Sequence, residues 1–147
     1  MLIKTRILLL CLLVCSSACS KNDIDITDGY VPVRSESQMH FAAYFKIKNN
    51  TDNDITLKNI SSQHFASASI HETQMENGIS KMRHLTDGIT IKSRQTIELA
   101  PYNMHIMLMQ PQESIWSRDS VELNLTFADG SKLSTDIPVR RKTQNNK

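Results

Sequence analysis

Two histidines and two methionines, His71, Met82, His105 and Met107, are the residues of this 147-residue chain whose types and spacing could hold a metal ion. Neutral imidazole nitrogen combined with thioether sulfur suits a soft, reduced ion. Such donors favour Cu(I), whereas carboxylates and carbonyls favour Mg, Ca or Mn. The three cysteines, Cys11, Cys15 and Cys19, all lie near the start of the chain, so a site built from residues 71 to 107 contains no thiolate. Methionine stays neutral and forms no disulfide, which makes it a sensible replacement for cysteine in an oxidising compartment.

Four such residues make one site only if the backbone gathers them. Asn77-Gly78 lies between strand-like flanks, and Asn-Gly is the strongest short hairpin signal because both residues tolerate the positive φ of a type I′ turn. A two-residue turn there pairs Glu76 with Ile79, Met75 with Ser80, Thr73 with Met82 and His71 with His84. Paired residues share a face and each strand alternates with period two. His71, Thr73, Met75, Met82 and His84 then share one face, with His71 and Met82 diagonal neighbours. A one-residue slip would send Met82 to the other face.

His105 and Met107 are two apart on an apolar run, so they also share a face, with Ile106 and Leu108 turned into the core. Laid beside the 71–84 hairpin, this His-x-Met strand would complete a set of two nitrogens and two sulfurs. His84 is a candidate to support the ligands without binding the ion. His40 and His64 have no spacing argument, and Met104 and Met109 read as core fillers.

The rest of the chain reads as strands. Phe41-Ala-Ala-Tyr44-Phe-Lys46-Ile-Lys48 runs into the polar turn of residues 49–54. Short runs follow at 55–60, 66–71, 79–85, 89–91, 96–99, 105–109, 121–127 and 132–139, the last after Asp129-Gly130. About eight or nine short strands with frequent turn signals predict an all-β antiparallel fold, a Greek-key sandwich or barrel. Helical periodicity is not sustained over ten residues, and there is no internal repeat.

Residues 1–18 read as a signal peptide. Lys4 and Arg6 precede an apolar run, Ile7 to Val14, too short to span a bilayer of about 30 Å. Ser16-Ser17-Ala18 supplies small residues for cleavage. Two processing readings stand side by side: ordinary cleavage after Ala18, or lipidation of Cys19. Ser17-Ala18-Cys19 resembles the end of a bacterial lipobox, although Ser16 replaces the usual Leu. The reading is then a tether over 19–28, one domain over 29–140 and a disordered, basic tail over 141–147. Roughly 130 residues suffice for one domain with a real core.

Removing residues 1–18 takes away Lys4 and Arg6 and no acid, so 17 basic residues become 15, level with the 15 acidic ones. Nothing in that balance points to nucleic acid. A blue-copper electron carrier needs a cysteine ligand. No H-E-x-x-H motif or nucleophile elbow is present, and four glycines form no phosphate loop. The chain does not read as an enzyme.

At this point the residues resemble a known family, the periplasmic PCu(A)C copper chaperones. The likeness rests on His71-Glu-Thr-Gln-Met75-Glu-Asn-Gly78-Ile-Ser-Lys-Met82-Arg and on Ile97-Glu-Leu-Ala-Pro101-Tyr-Asn-Met-His105-Ile-Met107-Leu-Met109. Tyr30-Val-Pro-Val-Arg34, Ala42 to Asn49, Leu125 to Ser131 and Ile137-Pro-Val-Arg140 add to it, so it covers residues 29–140. The resemblance implies a cupredoxin-like sandwich binding one Cu(I) per chain, with ligands at His71, Met82, His105 and Met107. It also implies a periplasmic carrier that supplies the Cu(A) centre of cytochrome c oxidase, with oxidase subunit II or another copper chaperone as partner. Contact with a membrane would come only through an N-terminal lipid anchor.

The chain departs from the pattern in places. Thr73 stands where many relatives carry Met, and Tyr102-Asn103-Met104 replaces the usual glycines. The tail lacks the His and Met that some relatives use for a second, Cu(II), site. Two other functions compete with delivery: envelope copper buffering or tolerance, and a metal-free β-sandwich interaction module.

Overall fold

The alternation seen from Phe41 to Ile47 reflects a sheet with one face in the core: Phe41, Ala43, Phe45 and Ile47 are buried, while Ala42, Tyr44 and Lys46 look outward. The same period organises most of a computed structural model that describes residues 22–141. Ten strands follow in order: β1 (Ile24–Val33), β2 (His40–Asn49), β3 (Ile55–Ser61), β4 (Phe65–Glu76), β5 (Ile79–His84), β6 (Ile89–Ile91), β7 (Thr96–Leu99), β8 (Met104–Pro111), β9 (Ser120–Phe127) and β10 (Lys132–Arg141).

The strands are hydrogen-bonded in the order β5-β4-β8-β2-β1-β10-β9-β3-β6, with β7 also on β2. One layer is β5-β4-β8-β2 with β7, and the other is β10-β9-β3-β6. β1 joins them. Its first part pairs with β2, and its last three residues pair with β10. Between the layers lie Ile70, Ile106 and Leu108 from one side and Leu57, Leu123, Leu125 and Ile137 from the other, all buried. Each such side chain contributes about 1.5–3 kcal/mol by leaving water. The expected all-β sandwich is present, and the fold is mostly antiparallel.

One pairing departs from the antiparallel rule, and two expected boundaries are corrected. The pairing of β1 with β10 is parallel; this contact joins the two ends of the domain, and local patterning carries no trace of it. The 19–28 tether is too long, because Ile24 to Asp28 already lie in β1. Ile24 and Ile26 pack against the core, while the acids between them gave the segment a polar look. At the other end, Arg141 closes β10 rather than opening a tail, and its Nε donates to the Trp116 carbonyl at 2.6 Å. The expected signal peptide over 1–18, Cys19 and the remainder of the tail lie outside the described residues.

β1 carries a bulge at Asp28-Gly29, where the register against β2 shifts by one. Asp28 has a φ of 56° and its carboxylate accepts from Lys46 Nζ at 2.8 Å. The shift sets Tyr30 directly opposite Tyr44 on the outer face.

Candidate metal centre

The hairpin register follows from the turn. Asn77 (φ 53°) and Gly78 (φ 79°) both take the left-handed conformation of a type I′ loop. β4 and β5 then pair His71 with His84, Thr73 with Met82, Met75 with Ser80 and Glu76 with Ile79, as the sequence predicts. On its other side β4 pairs with β8, and His71 faces His105 directly. Ile106 and Leu108 are fully buried, which turns His105 and Met107 to the outer face of the layer.

The result is a row of rings across five strands. His84 and His71 stack with centroids 5.2 Å apart and planes 12° apart. His71 and His105 lie 6.0 Å apart at 36°. Tyr44 lies 6.4 Å from His105 and 5.1 Å from Tyr30, and the Arg140 guanidinium covers Tyr30 at 4.4 Å. The thioethers flank the imidazoles on opposite sides. Met107 sits one same-face step beyond His105, opposite Ser69. Met82 sits one step the other way, opposite Thr73.

Hydrogen bonds orient both central imidazoles. His105 is buried, and its Nδ1 lies 3.0 Å from the Asn103 carbonyl. A carbonyl only accepts, so Nδ1 carries the proton and Nε2 keeps a lone pair. His71 is held the other way round. Its Nε2 lies 3.0 Å from Ser69 Oγ, and its Nδ1 is buried with no partner at all. If Nε2–H donates to the hydroxyl, Nδ1 presents a free lone pair. An orphaned buried nitrogen costs about 1–3 kcal/mol, a cost that an ion would remove.

Burial first, then the neighbouring His84 and His105, hold the His71 pKa below its ordinary 6.5. The neutral, ligating form is therefore favoured near pH 7. Ser69 and Asn103 were not singled out in the sequence. Ser69 stands two residues before His71 on the same strand, a spacing that could have found it, whereas Asn103 acts through its backbone carbonyl in the turn before β8, which no side-chain pattern marks.

The four sequence-selected residues differ in setting. His71, His105 and Met107 lie on adjacent central strands, half-buried or buried. Met82 is 59 % exposed on β5, an edge strand with every residue exposed. His84 lies flat against His71. An ion bound to one ring nitrogen lies in that ring's plane, so two stacked, nearly parallel rings do not share one. Among the described residues no three His, Cys, Asp or Glu side chains are gathered to hold an ion. The soft donors that flank the row are the thioethers of Met107 and Met82.

His64 lies elsewhere, buried between Glu113 (3.0 Å to Nδ1) and Arg118 (3.3 Å to Nε2). It pins the loop before β4 to the loop after β8, away from the row. Tyr102, just before the His-x-Met strand, is 91 % exposed with a φ of 63°.

Comparison with known proteins places this geometry in context. Residues 24–139 match the family model described as "LpqE-like: Putative lipoprotein LpqE-like". "Putative lipoprotein Lxx21020" of Leifsonia xyli subsp. xyli is 30 % identical over 99 residues, 67 % of this chain and 60 % of the relative. Protein RP573 of Rickettsia prowazekii is 26 % identical over 106 residues, 72 % of this chain and 59 % of the relative. The match thus spans about 60 % of the length of these curated relatives.

Among solved structures, the copper-bound PCuAC domain from PmoF2 superposes with a TM-score of 0.65 at 18 % identity, covering 82 % of this chain and 94 % of that domain. CuI-DR1885 from Deinococcus radiodurans gives 0.63 at 22 % identity, covering 89 % of each chain. The fold is therefore that of the cupredoxin-like PCuAC domains, and by its match over residues 24–139 the chain belongs to the LpqE-like family.

Proposed function

We propose that this protein carries Cu(I), one ion per chain, bound by His71, Met82, His105 and Met107. The observation that carries the reading is the buried, unpartnered Nδ1 of His71, on the face that also presents His105 and Met107. The fold supports it, since solved structures of the same architecture include a copper-bound PCuAC domain and a Cu(I) form. His71 would bind through Nδ1 and His105 through Nε2, with thioether sulfur completing a neutral, soft set.

Such a set suits a cargo that must leave again. Neutral donors can be exchanged one at a time, and no bond in a substrate is made or broken, so the role is transport rather than catalysis. Met82, on an exposed edge hairpin, is the ligand best placed to be swapped first for one from an acceptor. Two kinds of acceptor suit this exchange: the Cu(A)-bearing subunit II of cytochrome c oxidase, or another copper chaperone. Export by residues 1–18, lipidation at Cys19 and residence in the periplasm belong to the same proposal, and the name of the Leifsonia relative as a lipoprotein supports anchoring.

Titration with Cu(I) under anaerobic conditions against a competing chelator tests the binding claim. One tightly held equivalent is expected in the wild-type protein, and the His105→Ala/Met107→Ala variant should lose it. Unchanged affinity in that variant would take His105 and Met107 out of the ligand set, and no tight binding in the wild-type protein would leave an interaction module without metal as the better reading. Gene deletion separates the two copper roles. Lost oxidase activity that added copper restores indicates delivery, whereas copper sensitivity with normal oxidase indicates buffering.

A further inference from the structure

The outer face carries more soft donors than one ion uses. Along β8, His105, Met107 and Met109 alternate outward. Across from them on β2, Met109 pairs with His40 and Met107 with Ala42. On the β4 side the partners are the small Ser67 and Ser69. Met109 is 36 % exposed and His40 is exposed, so neither is the filler or isolated residue that its sequence position suggested.

Register sets the spacing. A direct cross-strand pair has Cβ atoms about 5 Å apart, a diagonal pair about 7–8 Å, and same-face residues on one strand about 7 Å. His40, Met109 and Met107 occupy three corners of such a quadrilateral, and Ala42, too small to intervene, is the fourth. Methionine's three rotatable bonds let both sulfurs turn toward the His40 ring.

Three of these four residues also border open space. His40, Ala42, Tyr44 and Met107, together with Arg34 and Gln38, line a groove of about 430 Å³. It opens where β1 leaves β2 after Tyr30 and turns to β10.

We propose that Met107, Met109 and His40 form a second Cu(I) position beside the first, sharing Met107 and facing this groove. It rests on the reading of Met107 as a copper ligand. In passing from one position to the other, Cu(I) keeps its bond to Met107, releases His71, His105 and Met82, and gains His40 and Met109. Its oxidation state does not change, and all donors are neutral. With three donors and the Arg34 guanidinium nearby, the second position is the weaker one, as a transfer station next to an acceptor needs to be.

Cu(I) titration of the protein carrying ¹³C-methyl methionine and ¹⁵N-histidine, under anaerobic conditions, tests this. The first equivalent should shift Met82, Met107, His71 and His105. With the first position disabled by His71→Ala/His105→Ala, so that Met107 is free, the first equivalent should instead shift the Met109 methyl and the His40 ring. A His71→Ala/His105→Ala variant should still bind, about 10-fold or more weakly, through Met107, Met109 and His40. Adding His40→Ala and Met109→Leu should abolish that residual binding. If Met109 and His40 stay unmoved in the His71→Ala/His105→Ala variant while the first set shifts in the wild-type protein, the second position does not exist and the carrier reading stands. If no signal in either set moves, the copper reading falls and this proposal with it.

Discussion

In the proposed site His71 is the central residue, and a Ser69 hydroxyl that accepts from Nε2–H would leave Nδ1 to face the ion. Removing the Ser69 hydroxyl frees the ring to change tautomer without emptying any core space, since Ser69 stands on the outer face. Outer partners of metal-bound histidines are typically worth about 10–100-fold in affinity. Ser69→Ala is therefore expected to weaken Cu(I) binding by about that factor, read by chelator competition, with the fold unchanged. In the metal-free protein, ¹⁵N imidazole spectra should show His71 protonated at Nε2, and Ser69→Ala should mix the tautomers. The same ring gives a pH dependence. Its folded pKa lies below the ordinary 6.5, so the unfolded chain takes up the proton first as pH falls. The stability that this contributes is present above pH 6.5 and is lost as pH falls through the lowered pKa. Denaturation midpoints of the metal-free protein should drop over that window, and His71→Ala should flatten the drop. A midpoint that rises on acidification would contradict the burial argument.

At the scale of elements, short-range geometry was legible and long-range pairing was not. Asn77-Gly78 fixed the β4–β5 register because turn type and side-chain period are local properties, and the outward alternation of His105 and Met107 followed from the apolar Ile106 and Leu108 between them. The parallel β1–β10 contact joins residues more than a hundred positions apart, and no local pattern encodes it. The Ser69 bond follows same-strand spacing, but serine has many other uses on a strand, and the Asn103 bond comes from a backbone carbonyl that its residue type does not encode. Two other pins hold the elements. Asn49 is fully buried at the end of β2; its Nδ2 donates to the Asn53, Ile91 and Lys92 carbonyls, and its Oδ1 accepts from the Thr51 amide and hydroxyl. Asn49→Ala strands several of those groups away from water and is expected to cost about 2–4 kcal/mol, measured by urea denaturation. Gly88, before β6, has a φ of +81°, and a Cβ there would lie 2.2 Å from the Leu57 carbonyl oxygen. Backbone on β3 would have to move, so Gly88→Ala should destabilise by about 2 kcal/mol or more.

Taken as a whole, the molecule sets its candidate ligands along a gradient of order. β8 lies between β4 and β2 in one layer, with its apolar face sealed by the second. β5 lies at the outer edge of that layer, bonded on one side only, and Met75, Ile79 and Met82 around its turn are 68 %, 63 % and 59 % exposed. Stability differs accordingly across a fold, and segments with few buried contacts open at low free-energy cost. His105 and Met107 thus stand on rigid backbone and Met82 on the most easily opened strand. Binding that links the two must stabilise the looser one, because a ligand selective for the closed form lowers the population of the open form. In the metal-free protein the amides of residues 79–84 should exchange with solvent far faster than those of 105–108. One equivalent of Cu(I) should slow exchange in β5 and leave β8 almost unchanged. Met82→Leu keeps the size and apolar character of the side chain but removes the sulfur, so it should abolish the copper-induced slowing in β5 while His105 and Met107 still bind more weakly. Exchange in β5 that is indifferent to Cu(I) in the wild-type protein would mean that Met82 is not a ligand and that the ion is held by the central strands alone.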